Sequence, residues 1–172
     1  MRISLRPPSR QEFASWYYKI AVGSDHRGFD AKGVVKALVT QMGHECADFG
    51  TDGTYPVDYP DLAYVVARAV SDKQVDRAIL ICATGLGMSI AANKVRGIRA
   101  ALCHDELSAK ISRDHNDTNI LCLSGDQIGE VLLRKIVEAW ISTEFSGGRH
   151  QRRVNKITAI EEGRDPREVT NG

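Results

Sequence analysis

From Lys19 onward, short apolar runs alternate with stretches in which apolar residues recur every three or four positions. Lys19–Ser24, His44–Phe49, Asp76–Cys82, Ile98–Cys103 and Asn119–Leu123 have the length and apolar, β-branched character of buried strands. Between them, Phe29–Met42, Tyr59–Ser71, Leu86–Val95 and Glu106–Arg113 show the amphipathic spacing of helices. A long helix is predicted over Ile128–Phe145, and after the break Ser146-Gly147-Gly148 a last one over Arg149–Glu162. Gly50-Thr51-Asp52-Gly53 reads as a turn. Strand and helix in this alternation predict right-handed βαβ crossovers, a parallel sheet covered on both faces, and thus one α/β domain over residues 19–162 with a helical C-terminal appendage. Residues 1–18, with Pro7-Pro8 and mixed polarity, read as a loose leader whose Phe13, Trp16 and Tyr17 lie on the body. The tail, 163–172, reads as frayed.

Within that pattern one stretch carries chemistry. Ile79-Leu80-Ile81-Cys82 ends a buried strand, Thr84-Gly85-Leu86-Gly87 breaks it, and Met88 onward resumes as an Ala-rich helix. A thiol is thereby set beside the free N–H groups of a helix start, which favour negative charge and so an anionic ligand group or a developing oxyanion. A thiol in that setting is also more acidic. The arrangement suits removal of a proton next to a carbonyl. Most unpaired cysteines are small buried hydrophobes, and that reading is kept for Cys46, Cys103 and Cys122. Cys82 differs because Thr84 adds a hydroxyl and Gly85 and Gly87 let a ligand approach the backbone.

Parallel sheets bind ligands at the carboxyl ends of their strands, near a topological switch point. Asp25-His26, Cys82–Thr84 and His104-Asp105 fall at that edge. Capping of the following helix explains Asp25 but leaves His26 free to donate to a phosphate or to move a proton. The polar run Arg113-Asp114-His115-Asn116-Asp117-Thr118-Asn119 reads as a hydrogen-bonded loop before a buried strand; His115 is its acid–base candidate. A basic run is usually a solvated helix face, yet Arg149 and Arg153 stand four apart behind a diglycine, and two guanidinium forks on one face suit a phosphate dianion. Gly85-Leu86-Gly87 also begins a dinucleotide fingerprint, but Ile90 stands where the third glycine belongs and two strand–helix units precede it.

Composition narrows the field further. A net charge of +1 with 26% charged residues argues against a dedicated nucleic-acid binder. No stretch has the length of a membrane span, and the N-terminus has no signal-peptide core. Four widely spaced cysteines without a CxxC pair fit reduced thiols in a cytoplasmic protein better than disulfides or a zinc site.

Together, Gly23-Ser24-Asp25-His26-Arg27-Gly28-Phe29, Asp58-Tyr59-Pro60, Ile81-Cys82-Ala83-Thr84-Gly85, Ser112–Asn119 and Gly147-Gly148-Arg149-His150-Gln151 resemble the type B ribose-5-phosphate isomerases, whose fold the galactose-6-phosphate isomerase subunits share. The resemblance runs from about Lys19 to Glu162. It implies a Rossmann-like three-layer α/β/α sandwich with a five-stranded parallel sheet, and a homodimer, sometimes a tetramer, with active sites at the subunit interface. It also implies aldose–ketose isomerisation of a sugar phosphate through an enediolate, without metal or cofactor. By position, Cys82 is then the base, Thr84 and the backbone from Ala83 through Gly85 to Gly87 stabilise the enediolate, and His115 opens the sugar ring. Asp25 and Asn116 hold sugar hydroxyls, Tyr59 lines the pocket, and His26, Arg149 and Arg153 bind the phosphate.

Two departures bear on the substrate. The family usually has glycine at Ala83, and many members carry arginine near Gln127. Ribose 5-phosphate is the expected substrate, with tetrose 4-phosphate, allose 6-phosphate or galactose 6-phosphate as alternatives. A non-catalytic sugar-phosphate sensor is the competing class, against which the joint presence of Cys82, Thr84 and His115 speaks.

Overall fold

The computed structural model describes residues 17–170. Phe13 and Trp16 lie outside them, while the Tyr17 hydroxyl donates to Glu45 Oε2 at 3.3 Å. Five strands, β1 (Lys19–Ser24), β2 (Glu45–Asp48), β3 (Arg77–Cys82), β4 (Ala100–Leu102) and β5 (Ile120–Ser124), form one all-parallel sheet in the order β2-β1-β3-β5-β4. The helices are α1 (Phe29–Gln41), α2 (Tyr59–Ser71), α3 (Leu86–Ala92), α4 (Glu106–Asn116), α5 (Glu130–Ile141) and α6 (Arg149–Glu161). This is a Rossmann-like α/β fold. No helix among the described residues is long and apolar enough to cross a membrane.

Alternation along the strands creates two cores. Ile20, Val22, Ile79, Ile81, Leu121 and Leu123 face α1, α4 and α5, where Trp140 is fully buried. Ala21, Leu80, Cys82, Ile120 and Cys122 face α2 and α3. β3 is buried at every position, as expected of a central strand covered on both sides. From β1 the chain moves outward to β2, then crosses back past β1 to β3 and onward to β4. The switch point therefore lies between the carboxyl ends of β1 and β3.

Element ends differ from the sequence expectation where side chains intervene. α3 stops at Ala92 because Asn93 turns its amide to Ser89 O and to both backbone groups of Ala100, tying the helix end to β4. α4 runs past Arg113 to Asn116, so His115 sits in a helical last turn rather than a loop; Asp117, at φ 46°, ends the helix. Beyond α6 the chain turns back in a single 3-10 turn over Pro166–Glu168, where Pro166 O accepts from Lys156 Nζ at 2.7 Å. The tail thus folds back on α6 as far as the 3-10 turn.

Candidate active site

Cys82 ends β3 at the switch point and is 4% exposed. Its Sγ accepts from the Gly85 amide at 3.1 Å, so a backbone N–H points at the sulfur and favours negative charge there. Gly85 makes this possible: its φ of 76° is left-handed, and a Cβ would fall 2.5 Å from Leu102. Thr84 Oγ1 accepts from Leu86 N at 3.3 Å, at the start of α3, and its hydroxyl proton is left to donate. Gly87 follows in the first turn of α3, where amides lack intrahelical partners. A Cβ on Gly87 would lie 2.5 Å from the Tyr59 ring, which places that ring directly over the turn.

The loop after β1 forms the other lip. Asp25, 5% exposed, accepts from the amides of Arg27 and Gly28, both on Oδ1, at 2.9 and 3.1 Å. His26 Nδ1 accepts from Val57 N at 3.3 Å, so the neutral ring carries its proton on Nε2 as a donor. Across the top, Arg27 pairs with Asp126 at 2.7 Å, and Gly125 packs so closely that a Cβ would meet Arg27 O at 2.9 Å. The loops after β1 and β5 therefore seal the α1 side of the crevice. It opens toward α2 and α3, where Tyr59 and the glycine turn lie.

Sequence reasoning missed Ser124. It pairs in register with Cys82, is fully buried, and donates from Oγ to Ala83 O at 2.6 Å while accepting from Gln127 N. It thereby holds the turn after Cys82. Its position at the carboxyl end of an apolar run was the available signal. Ala83 is half-buried beside Cys82.

The remaining candidates lie elsewhere. α4 carries the chain from the carboxyl edge of β4 back to the amino edge of β5, a rise of about 16 Å for its 11 residues. His115 and Asn116 consequently sit at the amino edge, where Arg99 Nε, just ahead of β4, reaches Asn116 O at 3.1 Å. His115 Nε2 is 3.5 Å from Asp114 Oδ2, and its ring stacks on His150 with centroids 4.0 Å apart and planes 8° from parallel. The Ser146 hydroxyl and amide both bond Asp114; the hydroxyl, ahead of burial, governs the Asp114 carboxyl and holds it below its usual range, aided by His115. Gly147 and Gly148, at φ 63° and 52°, form the left-handed entry to α6, which presents Arg149 and Arg153 exposed one turn apart.

One chain thus gathers Asp25, His26, Tyr59, Cys82, Ala83, Thr84, Gly85 and Gly87 at one edge, and His115, Asn116 and Arg149, with Arg153 a turn further along α6, at the other. The family model described as Ribose/Galactose Isomerase matches residues 20–157. Ribose-5-phosphate isomerase B of Escherichia coli K12 is 49% identical over 147 residues, covering 86% of this chain and 99% of that protein. D-erythrulose-4-phosphate isomerase of Pectobacterium atrosepticum is 42% identical over 140 residues, covering 80% and 91%. The structure of Clostridium thermocellum ribose-5-phosphate isomerase B superposes with a TM-score of 0.83 at 50% identity, covering 84% of this chain and 98% of that one. The chain belongs to the ribose/galactose isomerase family.

Proposed function

We propose that the chain interconverts ribose 5-phosphate and ribulose 5-phosphate through an enediolate, with Cys82 as the base. The observation that carries this reading is the buried Cys82 sulfur at the switch point, with the Gly85 amide aimed at it. The Cys82 thiolate takes the C2 proton of the open aldose and returns it to C1 of the enediolate, while Thr84 relays a proton between O1 and O2. Charge that develops on oxygen meets the amides of the glycine turn, one such donor being worth about 3–4 kcal/mol in related oxyanion sites. The step moves protons only, with no net redox change, so it calls for no cofactor. Similarity to the E. coli and C. thermocellum enzymes supports a five-carbon substrate. Similarity to the erythrulose-4-phosphate enzyme supports the same chemistry on a tetrose phosphate as the alternative.

The second part of the proposal is that the working unit is a homodimer. His115 for ring opening, Asn116 for a hydroxyl, and Arg149 and Arg153 for the phosphate come from the amino edge of one subunit and complete the Cys82 edge of the other. The separation of the two groups within one chain supports this, because no side chain spans the sheet. Exposed apolar residues around the Cys82 edge, Tyr59, Leu86 and Ile90, supply a surface for it.

Proton NMR with ribose 5-phosphate in deuterated water tests the reaction. Ketose signals should grow with deuterium entering at the exchanging carbon, and Cys82→Ala should cut turnover about 10³-fold while sugar-phosphate binding persists. Near-normal turnover by that variant removes Cys82 as base. Conversion of erythrose 4-phosphate with no conversion of ribose 5-phosphate moves the substrate to the tetrose.

A further inference from the structure

We propose that His150 is a positioning residue for His115: its buried ring, stacked face to face on the His115 imidazole, fixes the plane in which His115 meets the sugar ring oxygen. The inference rests on the ring-opening role given to His115 above. Opening a furanose breaks the C1–O4 bond, leaves a proton on O4 and takes one from the O1 hydroxyl. An imidazole that gives the first proton and recovers the second must be held in one orientation relative to C1.

Two independent observations single out His150. The first is the stack itself, 4.0 Å between centroids and 8° between planes. His115 is partly exposed, whereas His150 is only 7% exposed, so the buried ring is the fixed one. The second is the state of its nitrogens. Nε2 accepts from Arg149 Nε at 3.3 Å, which places the proton of the neutral ring on Nδ1, and Nδ1 is buried with no hydrogen-bond partner among the described residues. A buried donor left unpaired costs free energy, so hydrogen bonding by Nδ1 does not account for the ring at this place.

The groups that face His150 are His115 and Asp114 from α4, and Arg149 and Arg153 from α6. Burial pushes its pKa down, His115, Arg149 and Arg153 add to that, and Asp114 opposes. A second proton would also have to face the Arg149 N–H. The lowered pKa favours the neutral His150 ring, which acts on His115 through its flat face.

Ring opening can be read apart from isomerisation in a Cys82→Ala background, as the α/β anomer exchange rate of ribose 5-phosphate measured by exchange NMR. Cys82→Ala alone should accelerate exchange over buffer, and adding His115→Ala should return it to the buffer rate. Adding His150→Leu, of similar bulk but without a flat face, should lower the acceleration at least tenfold. His150→Phe, which keeps a flat ring, should hold it within threefold. Leu behaving like His, or Phe failing as badly as Leu, overturns the inference while the His115 reading stands. No acceleration by Cys82→Ala, or none lost with His115→Ala, removes the His115 reading and the inference with it. Thermal unfolding of each variant separates misfolding from lost positioning; should the Leu variant fail to fold, the Phe comparison remains, and exchange slowed more than threefold in a folded Phe variant overturns the inference.

Discussion

Gly85 and Gly87 both lack a side chain for a reason, and the reasons differ. At Gly85 the backbone is left-handed, and a Cβ would press at 3.0 Å on the Leu123 backbone, which cannot swing aside as the Leu102 side chain can. At Gly87 the obstacle is the ring of Tyr59, which is partly exposed and free to swing outward. Gly85→Ala should therefore destabilise the fold by about 2 kcal/mol or more. Gly87→Ala should leave the unfolding midpoint within a few degrees while raising KM for the sugar phosphate about tenfold, since Tyr59 loses its seat over the turn. Denaturant unfolding and steady-state kinetics of the two variants check the contrast; a Gly87→Ala enzyme of normal KM would remove Tyr59 from the pocket. At this scale the sequence exposed Cys82, Thr84 and the glycines, because a strand ending in cysteine and a glycine turn is a local pattern. Ser124 showed only as the end of an apolar run, and the stack of His150 on His115 not at all, since both roles come from neighbours far along the chain.

In the elements, α1 does more than cover the sheet. Its Lys32 is 3% exposed, and its ammonium gives all three hydrogen bonds, to Asp48 Oδ1 at 2.8 Å, Gly50 O at 2.7 Å and Thr51 O at 2.6 Å. Thr51 N in turn donates to Ser24 O, and the same loop continues to Val57, whose amide meets His26. A buried ammonium without these acceptors would be prohibitive, so the helix fixes the loop that carries Tyr59 and orients His26. Lys32→Met removes the charge and strands Asp48 with Lys36 alone; it should cost about 3 kcal/mol of stability and weaken phosphate binding. Chemical denaturation and inorganic phosphate inhibition measure both, and a variant equal to the parent in each would show that the loop holds itself. Periodicity and turn signals placed the five strands and six α-helices of the described residues. Ends moved by one to four residues, by three at each of the two set by the Asn93 side chain and the left-handed Asp117.

Across the molecule, the sheet separates the two groups of candidate residues, and a parallel sheet with crossover helices makes this unavoidable. A residue at the start of a crossover helix stays with the carboxyl edge, and one in its last turn is carried to the amino edge, where α6, which follows α5 and leads to no strand, begins. A dimer that pairs unlike edges restores them to one crevice. Cys82→Ala and His115→Ala chains, each inactive alone, should then recover about a quarter of wild-type turnover when refolded together, since random assortment makes half the dimers mixed and each holds one intact site. Activity of the mixture no greater than the sum of its parts would place both residues in sites within single subunits.

The sequence by itself determined the α/β alternation, the strand that ends in Cys82, the glycine turn behind it and the family motifs, because each is written in neighbouring residues and their period. Tertiary structure alone decided the strand order and hence the switch point, the seal of Arg27 and Gly125 over one side of the crevice, the Ser124 support for Ala83, and the stack of His150 on His115. These bring together residues distant in sequence, and local propensity holds no information about such pairs. The same topology placed Cys82 and His115 at opposite edges, a separation that no local pattern records.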